Sequence, residues 1–152
     1  MATLNGDNYK LQYIDKPSQK IEKGEVAGRK RLVLEHRVLD VVIAANDEIL
    51  GLNIPANSIV VDAKISISKS LGVTGIFELG HKANSTEAED SDAFVVAADG
   101  GGQAVLKGPI AGAAGIYKRF EEDTQIFVKC TEVTDGAVLD GIITFEVEYV
   151  ND

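Results

Sequence analysis

The sequence predicts an all-β fold: a jelly-roll-like β-sandwich or barrel of about eight strands, with one short helix and an extended N-terminal arm. Three observations carry this expectation. Apolar and polar residues alternate with period two in one segment after another from residue 29 onward. The segments are short and are punctuated by Gly, Pro, Asn and Asp turns. A chain of 152 residues with 45% hydrophobic content can bury a single core without disulfide staples.

Residues 1–28 make the arm and 29–152 the sandwich domain. In the arm, Leu4, Tyr9, Leu11, Tyr13, Ile14, Ile21 and Val26 are scattered among polar residues, and Pro17 and Gly24 break any longer element. Such a segment is either a frayed terminus or is ordered by docking on something. Next, Leu32, Leu34, His36 and Val38 alternate with Val33, Glu35 and Arg37, and an apolar run continues over 39–45. Asn46-Asp47-Glu48 is a turn. Ile49, Leu50, Leu52 and Ile54 then form a strand stopped by Pro55. The clearest strand places Ile59, Val61, Ala63, Ile65 and Ile67 on the core face, with Val60, Asp62, Lys64, Ser66 and Ser68 toward water.

Leu71-Gly72 turns into residues 73–81, the expected hairpin partner of that strand. Residues 91–98 read as the one helix, with Ser91 as N-cap, Asp92 in the first turn and Gly100 as its stop. Weaker runs around Val105 and over 116–120 add strands. Two clear strands close the chain. Ile126, Val128 and Cys130 alternate with Phe127, Lys129 and Thr131, and Ile143, Phe145, Val147 and Tyr149 alternate with Thr144, Glu146, Glu148 and Val150. Thr134-Asp135-Gly136 supplies the turn between them.

The net charge of −9 is unevenly divided. Residues 1–31 hold seven basic and four acidic side chains, net +3, which leaves −12 on the remainder. An acidic body argues against nucleic acid as a partner, because neutralising phosphates needs a basic face. No stretch approaches the roughly 20 apolar residues that span a bilayer, so no membrane partner is expected. Residues 1–10 are polar, unlike a signal peptide. Within the arm, Tyr9, Leu11, Tyr13, Ile14 and Arg29 are the candidate partner-binding residues: apolar anchors and a cation that can add a strand to a neighbour's sheet edge or lie in its groove.

No constellation points to catalysis, a cofactor or a metal. The only histidines are His36 and His81, in no ligand spacing, and there is no G-x-S-x-G elbow. His36 shares its alternation with leucines, as a core or interface histidine does, and His81 sits at a strand end near solvent. Cys130 falls on the apolar side of its strand, as a small core hydrophobe would. The acidic stretch 87–92 lacks the EF-hand pattern and reads as a solvated loop. Gly100-Gly101-Gly102 has neither a P-loop nor a dinucleotide-binding context. The small-residue loop 108–115 suits close packing against a neighbouring subunit.

Taken in order, the segment 54–63, the segment 72–81, Asp92-Ala93-Phe94-Val95-Val96 and Gly101-Gly102-Gln103-Ala104-Val105 resemble the small virion structural proteins of tailed bacteriophages. The likeness is to the head decoration or cement type with a jelly-roll-like body, and it spans about residues 28–150. It implies a non-enzymatic protein on the outer capsid surface of the virion, made in the host cytoplasm. Its partner would be the major capsid protein, whose subunits it would bridge as a homo-oligomer, a dimer or trimer at lattice symmetry axes. Two rivals stand beside it. One is a tail-, head-fibre- or vertex-associated structural protein; the other is a glycan-binding β-module, which the low aromatic content of 6% disfavours.

Overall fold

The structure, a computed structural model, describes residues 3–5, 30–38, 42–68, 75–99, 105–107, 114–132 and 141–151. They contain the strands β1 (Thr3–Asn5), β2 (Lys30–Val38), β3 (Glu48–Ile54), β4 (Ser58–Ile67), β5 (Ile76–His81), β6 (Asp90–Asp99), β7 (Val105–Lys107), β8 (Arg119–Phe120), β9 (Thr124–Glu132) and β10 (Ile142–Asn151). One sheet runs β1-β3-β9-β5-β6. The other runs β2-β10-β4-β7, with β8 also paired to β4. β1 lies parallel to β3, and the other pairings are antiparallel. Without β1 and the two-residue β8, the strands renumbered in chain order stand 1-8-3-6 in one sheet and 2-7-4-5 in the other. That nesting is the jelly roll, with two facing sheets rather than a closed barrel.

Alternation explains most of the core. Ile143, Phe145, Val147 and Tyr149 on β10 face Ile126, Val128 and Cys130 on β9, joined by Ile49, Ile65, Phe77, Leu79, Phe94 and Phe120. Burial pushes the Cys130 thiol up to about 12, helped by the nearby Asp47 carboxylate, so this cysteine is an inert core group. Gly80 has no room for a side chain. A Cβ there would lie 1.9 Å from the Asp90 carbonyl oxygen, so β6 can approach β5 only because residue 80 is glycine.

Three expectations about the strands need correction. Residues 91–98 are not a helix; they belong to β6. The Ser91 hydroxyl, the supposed cap, instead donates across the sheet to Glu78 Oε2 at 2.8 Å, and Ala93, Phe94 and Val95 are buried against the core. Tertiary pairing with β5 overrides a weak local helix signal, and the aromatic and β-branched Phe94-Val95-Val96 favours a strand in any case. No helix is present among the described residues.

Segment 73–81 is not the hairpin partner of β4. β5 pairs with β6 and β9 in the opposite sheet, while β4 pairs with β10, β7 and β8. The chain crosses the sandwich because both strands carry an apolar face, and these faces bury best across the core.

The third correction concerns β4. Glu148 of β10 pairs with Asp62 but Tyr149 pairs with Val60, so Val61 is an extra residue in a β-bulge. The bulge shifts the alternation by one. Ala63, Ile65 and Ile67 face inward as expected, but beyond the bulge Val60 is the buried residue, and Ile59 and Val61 turn to the outer face half-buried.

On β2 the structure decides a point that the alternation leaves open. Val33 lies opposite Val147 and Glu35 opposite Phe145, so Val33 and Glu35 face the core, and Leu32, Leu34, His36 and Val38 face out. Alternation locates two faces without saying which is inner; the neighbouring β10 decides it. Glu35 is fully buried, and its Oε1 accepts the His36 N–H at 3.0 Å. Burial raises the Tyr149 phenol, and Arg31, hydrogen-bonded to it from the next inner position of β2, opposes that shift.

Candidate interaction surface

The outer face of the β2-β10-β4 sheet is built by the two register features just described. In its middle are charged rungs. Glu146 lies between Leu34 and Lys64, Glu148 between Leu32 and Asp62, Lys64 is ion-paired to Glu146, and Lys30 reaches Glu148 at 3.4 Å. The hydrogen bond to Glu146 holds the half-buried Lys64 ammonium above the usual lysine range, against a partial opposition from burial. Apolar residues gather at the ends. At one end, Val38 and Ile142 are cross-strand partners, 43% and 38% exposed. Toward the other, Leu32 is 50% exposed, and Val150 and the bulge-turned Ile59 are paired and half-buried. Two small apolar groups separated by charged rungs thus stand on this face, where a partner could cover them.

That second end is the more elaborate. Lys30, Ser58 and Asn151 meet there, and the turn 114–117 packs beside them. The Gly115 N–H bonds the Ala93 carbonyl at 2.7 Å, and the Tyr117 N–H bonds the Val60 carbonyl, next to the bulge, at 2.7 Å. A Cβ on Gly115 would lie 2.6 Å from the Phe94 ring, so this glycine serves contact with the chain's own core. Residues 108–113 of that small-residue loop lie outside the described residues. Ile116 and Phe120 turn inward, whereas Tyr117 between them is 74% exposed and has φ of 64°. A bulky side chain in the left-handed region costs about 1–2 kcal/mol, which an exposed ring does not recover by burial.

The acidic loop after β5 is at the same end and is not loosely solvated. Asn84 Oδ1 accepts the Thr86 N–H at 2.9 Å and the Glu87 N–H at 2.7 Å, and its amide donates to Thr124 Oγ1 at 2.8 Å. Glu122 accepts the Ser85 N–H at 3.2 Å, and Asp123 accepts the Ala56 N–H at 2.8 Å. Lys118 pairs with Glu87 at 2.5 Å. Lys82 reaches Glu48 at 2.7 Å and Glu89 at 3.0 Å, and lies 4.2 Å above the Phe127 ring. Burial alone would lower the Lys82 ammonium, but the hydrogen bonds to Glu48 and Glu89 outweigh it and raise its pKa.

His81, expected near solvent, is buried. Its ring meets Phe120 edge-on at 5.0 Å and Phe94 at 6.0 Å, and Nδ1 is 3.1 Å from the Lys82 carbonyl. His36 is half-buried on the outer face of β2. Among the described residues no three His, Cys, Asp or Glu side chains gather as a metal centre requires. The candidate arm residues Tyr9, Leu11, Tyr13, Ile14 and Arg29 lie outside the described residues. Tyr117 was not singled out by the sequence, because the segment 116–120 reads there only as a weak strand.

No protein-family model matches the chain, and no curated protein sequence matches it. Solved structures do. The jelly-roll sandwich is similar in fold to chains of two phage capsids: a chain in the capsid of Ralstonia phage GP4 superposes with a TM-score of 0.75 at 18% identity, covering 99% of both chains. A chain of the cyanophage Pam1 capsid asymmetric unit superposes with a TM-score of 0.64 at 14% identity, covering 91% of this chain and 96% of that one. At such identities the likeness is one of fold.

Proposed function

We propose that the protein is a non-enzymatic capsid component of the decoration or cement type, bound to the outer surface of the assembled major-capsid lattice and bridging its subunits. The observation that carries this reading is the end-to-end likeness to a chain of the Ralstonia phage GP4 capsid, 99% of each chain. The exposed apolar groups on the outer face of the β2-β10-β4 sheet support it, since they serve no core. The acidic body supports a place away from packaged DNA. In this reading the arm makes partner contact through Tyr9, Leu11, Tyr13, Ile14 and Arg29, the protein acts as a dimer or trimer, and many weak contacts add up to avidity over the lattice.

The test is to mix purified protein with expanded capsids of the same phage that lack it, and to image them. Density distributed over the outer shell, in hundreds of copies, is expected on a lattice of many equivalent sites. A dozen copies or fewer, at a vertex or the tail, would replace this reading with that of a vertex- or tail-associated protein. Bare shells would overturn it.

A further inference from the structure

The geometry points to Tyr117 as the aromatic anchor by which the β8 end of the sandwich grips the capsid shell, in an apolar pocket rimmed by Lys or Arg. The inference rests on the shell-binding reading and deepens it by naming the end, the residue and the partner's chemistry. The fold gains little from a tyrosine here. The backbone is left-handed, a conformation in which glycine is at ease and a ring is strained. The side chain, 74% exposed, buries little of its own surface. Yet the backbone around it is held firmly: Gly115 is bonded to Ala93, Tyr117 to Val60, and the flanking Ile116 and Phe120 are buried. A rigid support that thrusts out a large, low-entropy ring is what a binding anchor needs, and tyrosine is among the residues that dominate interface energies. A residue that breaks a local rule without a compensating gain inside the chain marks a site whose gain lies outside it.

The surroundings state the partner's charge. At this end Glu121 and Asp123 are exposed, Glu122 is partly so, and the loop carrying Glu87 and Glu89 is tied to it, with Glu148 on β10, against Arg119 and three lysines already paired to acids: Lys118 to Glu87, Lys82 to Glu89 and Lys30 to Glu148. Acids outnumber bases, so the complementary rim is basic.

The experiment compares the full-length protein, Tyr117→Gly and Tyr117→Phe. Thermal unfolding is measured for each, together with binding to shells of the same phage purified without the protein, from 50 to 400 mM salt. Tyr117→Gly is expected to unfold at the same or a higher temperature and to bind at least about ten-fold more weakly. Tyr117→Phe is expected to keep binding within about three-fold, and wild-type binding to weaken as salt rises. Glycine at full affinity would overturn the anchor while leaving shell binding intact, whereas wild-type protein that ignores the shells would overturn the shell-binding reading itself. A fall in melting temperature for the glycine variant would assign Tyr117 to the fold. A change in solution mass would make the occupant a second copy, and salt-independent binding would remove the basic rim.

Discussion

Replacing Lys82 with methionine isolates the charge cluster on the outer face of β3 and β9. Methionine keeps the stem's packing over Phe127 but removes the cation from Glu48, whose side chain is only 6% exposed. At 2.7 Å and an effective dielectric of about 20, the gross attraction is about 6 kcal/mol. Desolvation cancels most of it, because Lys82 is 24% exposed and Glu48 nearly buried. What remains on deletion is chiefly the cost of an uncompensated Glu48 carboxylate, about 2–3 kcal/mol, and the lost cation–π contact adds about 0.5–1 kcal/mol. Lys82→Met is therefore expected to lose about 3 kcal/mol in urea unfolding at pH 7, or about 6–12 °C in melting temperature at this chain length. Adding Glu48→Gln should restore at least about 1 kcal/mol, since it removes the orphaned charge. The pH dependence gives a second reading. The Lys82 pKa is raised by folding, so its stabilisation is complete below the ordinary lysine range and is lost as pH climbs through the raised value. Wild type and Lys82→Met should thus converge in stability above pH 10.5. Equal stability of the two proteins at pH 7, or strict additivity of the two substitutions, would refute the argument.

Phe145→Ala should cost about 3–5 kcal/mol in denaturant unfolding, because the ring is fully buried at the sheet interface beside Gly51; a loss below about 1 kcal/mol would mean the site collapses freely. With its thiol pushed up to about 12 and buried, Cys130 should resist a maleimide at pH 8 in the native protein and react fully in guanidinium; prompt stoichiometric labelling of the folded state would contradict its placement. Asp92 has a raised pKa because of a hydrogen bond with Asp90, burial and the neighbouring Asp90 and Glu78 charges. Folding therefore disfavours its ionised form, so Asp92→Asn should be more stable than wild type at pH 7, by a margin that shrinks as falling pH protonates Asp92; a melting temperature below wild type at pH 7 would reverse that sign. Deleting residues 1–27 should leave a cooperatively unfolding body that attaches more weakly to capsids, and unchanged occupancy would remove the arm from the contact.

Strands whose two faces differ sharply in polarity were legible in the sequence. β9 and β10 follow their written alternation, and β10 places Ile143, Phe145, Val147 and Tyr149 inward as expected. Where legibility failed, the deciding information sat on another strand. Nothing within Leu32–Val38 says that its leucines face outward; Phe145 and Val147 across the ladder say so. Nothing in Ile59-Val60-Val61 marks the extra residue, since all three are β-branched and apolar and suit either face. Ser91 and Asp92 do look like a helix start, and only the pairing of β6 with β5 rules it out. The outer-face surface was hidden for the same reason, because it is assembled from register choices. Tyr117 depends on a backbone angle that no residue-level pattern announces.

The nesting of first against last also has a mechanical consequence. Lys30, where the arm joins the sandwich, is the register partner of Val150, one residue from the end of β10. Tension applied between Lys30 and the C-terminal end of β10 would open the β2–β10 ladder like a zipper, one rung at a time. Tension between Lys30 and the opposite tip, near Ile142, would load all nine registered positions in shear together. A cargo fused after Asn151 would therefore pull on this ladder in the direction in which it yields most easily.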